Sequence, residues 1–327
     1  MLLDLHADIW TDVTVNRLQG MKSVIKERHL ARFRQGGMTG GIFVVWNDQP
    51  NDPKSSGSRD RLLESLGAMS AELWESQDII RLVTEPDDFA AAEKAGKLGI
   101  MLGLEGLSGI GTNVEMIYAL ERMGFRLAML TWNEQNNLST GPLGDPGRGL
   151  TDYGRAAIRI MEELRMIIDV SHTNEKSFWD IIETASSPIF ASHSNVRKIC
   201  DVPRNLWDEQ IDAIRETKGM IGINTFSGFV SHDKREHTLQ KLTDHIDYLV
   251  ERMGIDHVGF GFDFDDYLDR DLLALADIPD HGLQGLKSIS DASNLLKELV
   301  RRGYSAADIR KLAGENFINY YRRVREE

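Results

Sequence analysis

Two rhythms of apolar and polar residues alternate along this chain. Short apolar runs recur at 2–6 (LLDLH), 40–46 (GGIFVVW), 99–104 (GIMLGL), 125–131 (FRLAMLT), 167–171 (IIDVS), 189–192 (IFAS), 219–225 (GMIGINT) and 257–261 (HVGFG). Their length and their β-branched and aromatic content predict strands. Between them lie amphipathic stretches that predict helices around 23–34, 58–76, 113–123, 152–165, 174–185, 207–217 and 238–253, with another at 288–301. In "TDYGRAAIRIMEELR", Thr151 or Asp152 can cap the helix, and Ile158, Met161 and Leu164 follow at helical spacing. Eight strands alternating with helices predict parallel strands joined by crossover helices. An α/β fold, a closed (β/α)8 TIM-type barrel forming a single domain over 1–327, is the simplest architecture at this length. An open doubly wound sheet is the alternative. The polar stretches "NDQPNDPKSSGSRD" (47–60) and "STGPLGDPGRGL" (139–150) interrupt the pattern as loops, the first being the best candidate for a mobile segment.

Composition narrows the function. Apolar residues make up 41% of the chain, enough for a large core, and the formal net charge is −13. An acidic surface disfavours nucleic acid and anionic membranes. Cys200 is the one cysteine, which excludes an internal disulfide and fits a reducing, cytoplasmic setting. The N-terminus has no basic segment followed by a long apolar one, so no signal peptide is expected. No apolar run approaches the roughly 18 residues of a membrane span.

In a barrel of this type, chemistry gathers at the C-terminal ends of the strands. His6 ends the first predicted strand and Asp8 follows. Glu105 ends the third, Trp132 follows the fourth, His172 the fifth, His193 the sixth and Asp263 the eighth. Each residue alone also reads as a hydrogen-bonded structural group. Together, His6, Asp8, Glu105, His172 and His193 would meet at one rim. The other histidines, His29, His232, His237, His245, His257 and His281, read as structural or surface residues. Three imidazoles and two carboxylates suit zinc or a similar divalent ion. They exceed the three protein ligands of a usual catalytic zinc. Two ions would use them all, with Glu105 as the natural bridge, His6 and Asp8 completing one site, and His172 and His193 the other. A hydroxide between two such ions is a strong nucleophile near neutral pH. No dinucleotide fingerprint, phosphate loop, nucleophile elbow or H-E-x-x-H motif competes.

The ordered set "DLHAD", "GLEG", "DVSH", "ASHSN", "GFDFD" and "LAGENF" resembles the membrane (renal) dipeptidase family of zinc metallopeptidases, from residue 4 to about residue 320. The likeness is to soluble bacterial-type members. It implies a (β/α)8 barrel with two zinc ions per chain, held by the five residues as above. It casts Glu105 and Asp263 as catalytic, with Asp263 near the amine and the scissile nitrogen. It casts Arg204, in "VPRNLW", as the anchor for the substrate's free carboxylate. It implies hydrolysis of dipeptides, some with a C-terminal D-residue, and a homodimer. The bridging hydroxide would attack the carbonyl, and Asp263 would carry the proton to the leaving amine. The chain departs from the family pattern at Trp132, where a substrate-binding histidine is common. It departs again in "DFDDY", where glycine usually follows the second aspartate. An indole N–H donates one hydrogen bond and does not titrate. Two other readings are a hydrolase of another small amide, lactam or lactone on the same barrel, and a metal-binding paralogue with little catalysis.

Overall fold

The computed structural model describes residues 1–47, 58–269, 273 and 282–326. Among them are nine strands: β1 (Leu3–Ala7), β2 (Gly40–Trp46), β3 (Ile80–Leu82), β4 (Leu98–Glu105), β5 (Phe125–Met129), β6 (Ile167–Asp169), β7 (Phe190–Ala191), β8 (Met220–Ile223) and β9 (Val258–Phe260). All eight runs picked out by the hydropathy pattern are strands. They pair in parallel in the order β1-β2-β4-β5-β6-β7-β8-β9, a nearly closed TIM-type barrel. The pattern missed β3, only three residues long. It pairs with Leu98–Ile100 of β4, below the stretch Leu102–Leu104 that pairs with β5.

The remaining gap lies between β1 and β9. Side-chain and loop hydrogen bonds span it: Phe262 N–H donates to Asp4 Oδ1 (2.9 Å) and Asp263 N–H to His6 O (3.1 Å). Residues alternate between the two faces of the wall, as strands require. Leu3, Leu5, Ile42, Val44, Met101, Leu127, Met129, Ile167, Phe190 and Met220 form one buried cluster inside. Phe43, Val45, Ile100, Leu102 and Leu104 join the larger cluster under the helices. At Gly103 the interior has no room for a side chain, since an added Cβ would stand 2.9 Å from Val44 Cγ1. Phe317, Tyr320 and Tyr321, from the helix Asn316–Glu326, plug the end opposite the candidate site. Their hydroxyls donate to Pro188 O (Tyr320, 2.9 Å) and Thr84 O (Tyr321, 2.5 Å).

The expected helices are present with shifted ends. Thr151 caps Asp152–Glu163, its side chain accepting from Gly154 N–H. The stretch 23–34 folds as a wide turn, Ile25–His29, running into Leu30–Gly36. The pattern missed the helices Ile9–Leu18, Asp88–Lys94, Ser227–Val230, Ala306–Arg310 and Asn316–Glu326. Residues 48–57 of the first expected loop, and His281, lie outside the described residues. The second loop is tied down: Arg148 donates to Ser139 O, Asn136 O and Thr140 Oγ1 at 2.8–3.0 Å. Among the described residues, no helix is long and apolar enough to cross a membrane.

Candidate metal centre

The rim residues converge on Glu105, the last residue of β4. Its Oε2 lies 3.4 Å from His6 Nε2, and its Oε1 lies 2.9 Å from His172 Nε2 and 3.8 Å from His193 Nε2. Asp8 Oδ2 and Asp263 Oδ1 each lie 3.9 Å from His6 Nε2. Two overlapping sets therefore form, His6–Asp8–Asp263 and His6–Glu105–His193, each with its donor atoms within 4.8 Å of one another. The His6 and His193 rings are tilted by 33° with centroids 3.7 Å apart, and the His172 ring lies 4.8 Å from that of His193.

Local backbone geometry produces this convergence. His6 and Asp8 do not share one strand face as two alternate strand residues would. The β1 register shifts between Asp4 and Ala7, the strand ends at Ala7, and Asp8 is the residue before the helix Ile9–Leu18. A register shift re-aims a side chain, and the turn into the helix brings the Asp8 carboxylate back to the imidazole. His172 and Asp263 both adopt left-handed backbone, with φ of 63° and 58°. Such conformations cost non-glycine residues free energy and persist where the surroundings over-determine them. Those surroundings are visible: Thr131 Oγ1 donates to His172 O (3.0 Å), Asp263 N–H to His6 O, and Asn224 Nδ2 to Asp263 Oδ2 (2.9 Å).

The electrostatics fit a cationic ligand. Burial, reinforced by neighbouring carboxylates, pushes the Asp8 and Glu105 carboxyls well above the usual range. Burial, with Arg204 and neighbouring imidazoles, pushes His172 and His193 well below theirs. Unpaired buried carboxylates are costly, and cations offset that cost. His6 Nε2, His193 Nε2 and Asp8 Oδ1 are buried with no hydrogen-bond partner. Orphaned nitrogen lone pairs and carboxylate oxygens, with Nδ1 of each ring engaged elsewhere, are the donor set of a zinc-type site. The residues present fit divalent cations.

Arg204 lies beside this group, buried, with Nη2 donating to His193 O (3.2 Å), Nε unpartnered and the Phe229 ring 5.3 Å from its guanidinium carbon. Desolvation pulls its pKa down to about 10, so it keeps its charge at neutral pH. Trp132 is also buried, its ring 6.0 Å from His172 and 5.0 Å from Trp46. Trp46, Trp132 and Leu268 form an apolar cluster at the rim. The sequence reading passed over Trp46, Asn133, Asp169, Ser192 and Asn224. Ser192 and Asn133 adjoin His193 and Trp132, a proximity that could have flagged them. Cys200 is buried, with its thiol free of any disulfide.

A parallel barrel with an acid–imidazole cluster on its C-terminal rim defines a metal-dependent hydrolase class of architecture. The chain belongs to the membrane dipeptidase family, peptidase family M19, whose model matches residues 1–327. It is 32% identical over 284 residues to an uncharacterised protein in the pqqA 5′ region of Klebsiella pneumoniae, covering 84% of this chain and 98% of that one. It is 27% identical over 323 residues to the dipeptidase tcpJ of Claviceps purpurea (strain 20.1), covering 95% of this chain and 72% of that one. Among solved structures, it matches a metallopeptidase from Rhodobacter sphaeroides liganded with a phosphinate mimic of the dipeptide L-Ala-D-Ala. The TM-score is 0.85 at 25% identity, over 99% of both chains.

Proposed function

We propose that this protein is a dipeptidase that holds two divalent cations, zinc being the ion its donors suit best, and cleaves short dipeptides with a free C-terminus. The division of the Glu105 carboxylate carries this reading: one oxygen faces His6 and the other faces His172 and His193. That division suits a carboxylate shared between two ions. His6, Asp8 and Glu105 would hold one cation, with Asp263 Oδ1 at the edge of the same set. Glu105, His172 and His193 would hold the other.

When bound, the cations supply a Lewis acid for the scissile carbonyl and a water activated for attack near neutral pH. The protein does the rest. Arg204 takes the terminal carboxylate in a two-pronged, charge-assisted grip. Asp263, its Oδ2 anchored by Asn224, accepts a proton at Oδ1 and returns it to the leaving nitrogen. Trp132 and Trp46 supply an apolar wall that excludes water from the substrate. Acceptance of a C-terminal D-residue is part of the proposal, supported by the L-Ala-D-Ala mimic held by the Rhodobacter sphaeroides neighbour. The test is a panel of L,L- and L,D-dipeptides assayed with zinc-loaded protein, alongside metal analysis. Two equivalents of metal and turnover of free dipeptides support the reading. Hydrolysis confined to lactones, lactams or N-acyl amino acids would replace it with the broader hydrolase reading.

A further inference from the structure

Ser192 touches one histidine of each cation set without being a candidate ligand itself. It follows β7, is fully buried, and its Oγ lies 2.7 Å from His193 Nδ1 and 3.5 Å from His6 Nδ1. On its other side is Asp169, buried at the end of β6. Asp169 Oδ1 accepts N–H bonds from Ser171 (2.9 Å) and Ser192 (3.1 Å), while its Oδ2 has no partner. A hydroxyl offers one proton and two lone pairs. The carboxylate is the strongest acceptor beside Ser192 and the one left short of a donor. The Ser192 side chain hydrogen-bonds the Asp169 carboxylate; with its proton given there, only lone pairs remain for the two rings. An imidazole nitrogen can meet a lone pair only by carrying a proton.

We propose that Ser192 is a positioning residue that holds His6 and His193 together as their Nδ1–H tautomers, leaving both Nε2 lone pairs free towards Glu105. One hydroxyl would thereby prepare a ligand in each of two cation sets; that consequence rests on the two-cation reading, whereas the tautomers themselves do not. The grip is graded, firm on His193 and at the limit of hydrogen bonding on His6. His172 is ordered independently, its Nδ1 lying 2.9 Å from Asn133 Oδ1. It therefore serves as an internal control.

Ser192→Ala removes the hydroxyl and keeps the backbone N–H to Asp169. The readouts are nitrogen-15 NMR of the histidine rings in chelator-treated and zinc-loaded protein, and zinc affinity by competition with a chelating dye. In the wild type, His193 and His6 should carry the proton on Nδ1. In Ser192→Ala, His193 should gain a large Nε2–H population and His6 a smaller one, with His172 unchanged. Zinc affinity should fall roughly 10- to 100-fold, the usual effect of losing an outer hydrogen-bond partner. A wild-type His193 protonated on Nε2 overturns the proposal without any variant. So does a Ser192→Ala protein whose ring spectra and zinc affinity match the wild type, or one in which His172 shifts as much as His193. If Ser192→Ala does not fold, Asp169→Ala tests the same arrangement: removing the acceptor should release the hydroxyl proton towards His193 and move that ring to Nε2–H. A wild type that takes up no zinc would sink the two-cation reading but leave the tautomer measurement decisive for Ser192.

Discussion

Replacing Arg204 with methionine isolates the interaction expected to define the substrate. The side chain is 9% exposed, and its described hydrogen bonding consists of one N–H given to a main-chain carbonyl. Most of its donor capacity is thus available to a ligand. Burial lowers its pKa to about 10, which still leaves it charged at neutral pH. Truncating one partner of a desolvated charge pair costs about 2–5 kcal/mol. At about 1.36 kcal/mol per tenfold change, that is roughly a 30- to 5,000-fold loss in kcat/KM. The enclosure by Phe229 and His193 favours the upper half of that range. Arg204→Lys should fall between, since an ammonium keeps the charge and loses the planar fork. The assay pairs a dipeptide with its C-terminal amide. Wild type should discriminate strongly against the amide, and Arg204→Met should lose most of that discrimination. Because Arg204 also opposes the Asp263, Glu105 and Asp169 charges, each variant's metal content is measured in the same preparation. Equal cleavage of acid and amide by the wild type would refute the carboxylate grip and the dipeptidase reading with it.

Four other outcomes are expected. Glu105→Gln should weaken both metal equivalents in a metal titration, and loss of one alone would contradict bridging. Asp263→Asn should lower kcat by about 10²–10⁴ with the metals retained; a matching loss of metal would instead place Oδ1 among the ligands. His245 is buried, accepts Val196 N–H at Nδ1 (3.2 Å) and has Nε2 2.9 Å from Val230 O; burial holds its pKa down to about 4 from 6.5. The unfolded chain therefore takes up this proton first, and the stability present above about pH 6.5 is lost as pH falls towards 4, by up to about 3 kcal/mol; urea unfolding across that range should flatten in His245→Gln. Gly103→Ala should cost about 1–3 kcal/mol in the same unfolding assay, because the new methyl meets Val44 and Ile42 inside the barrel.

The hydropathy pattern revealed the barrel because every wall strand is buried on both faces and reads as a continuous apolar run. It hid β3 because three residues are too few to establish a period. It hid the helix Ile9–Leu18 because that helix is buried over most of its first turns, Ile9 to Thr14, and so lacks a clear polar stripe. The ligand-type residues were legible because each sits beside the end of a recognisable strand. Their orientation was not. His6 depends on a register shift in β1, and His172 and Asp263 on left-handed backbone that their residue types do not announce. Ser192 and Asn133 were overlooked for a different reason. Serine and asparagine are common at strand ends, and only coordinates reveal which ring nitrogen they address.

The seam between β1 and β9 gives the centre a history as well as a shape. His6 and Asp8 leave the ribosome more than two hundred residues ahead of Asp263 and the Phe262 amide that meets Asp4. A nascent chain that has displayed β1 through β8 holds β1 against β2 and still lacks the element that fastens its other edge. Throughout that interval its first imidazole and carboxylates are open to any passing cation. Completion of the barrel should therefore be the event that converts loose, exchangeable binding into retention. Slow metal release would then report that the last strand has docked.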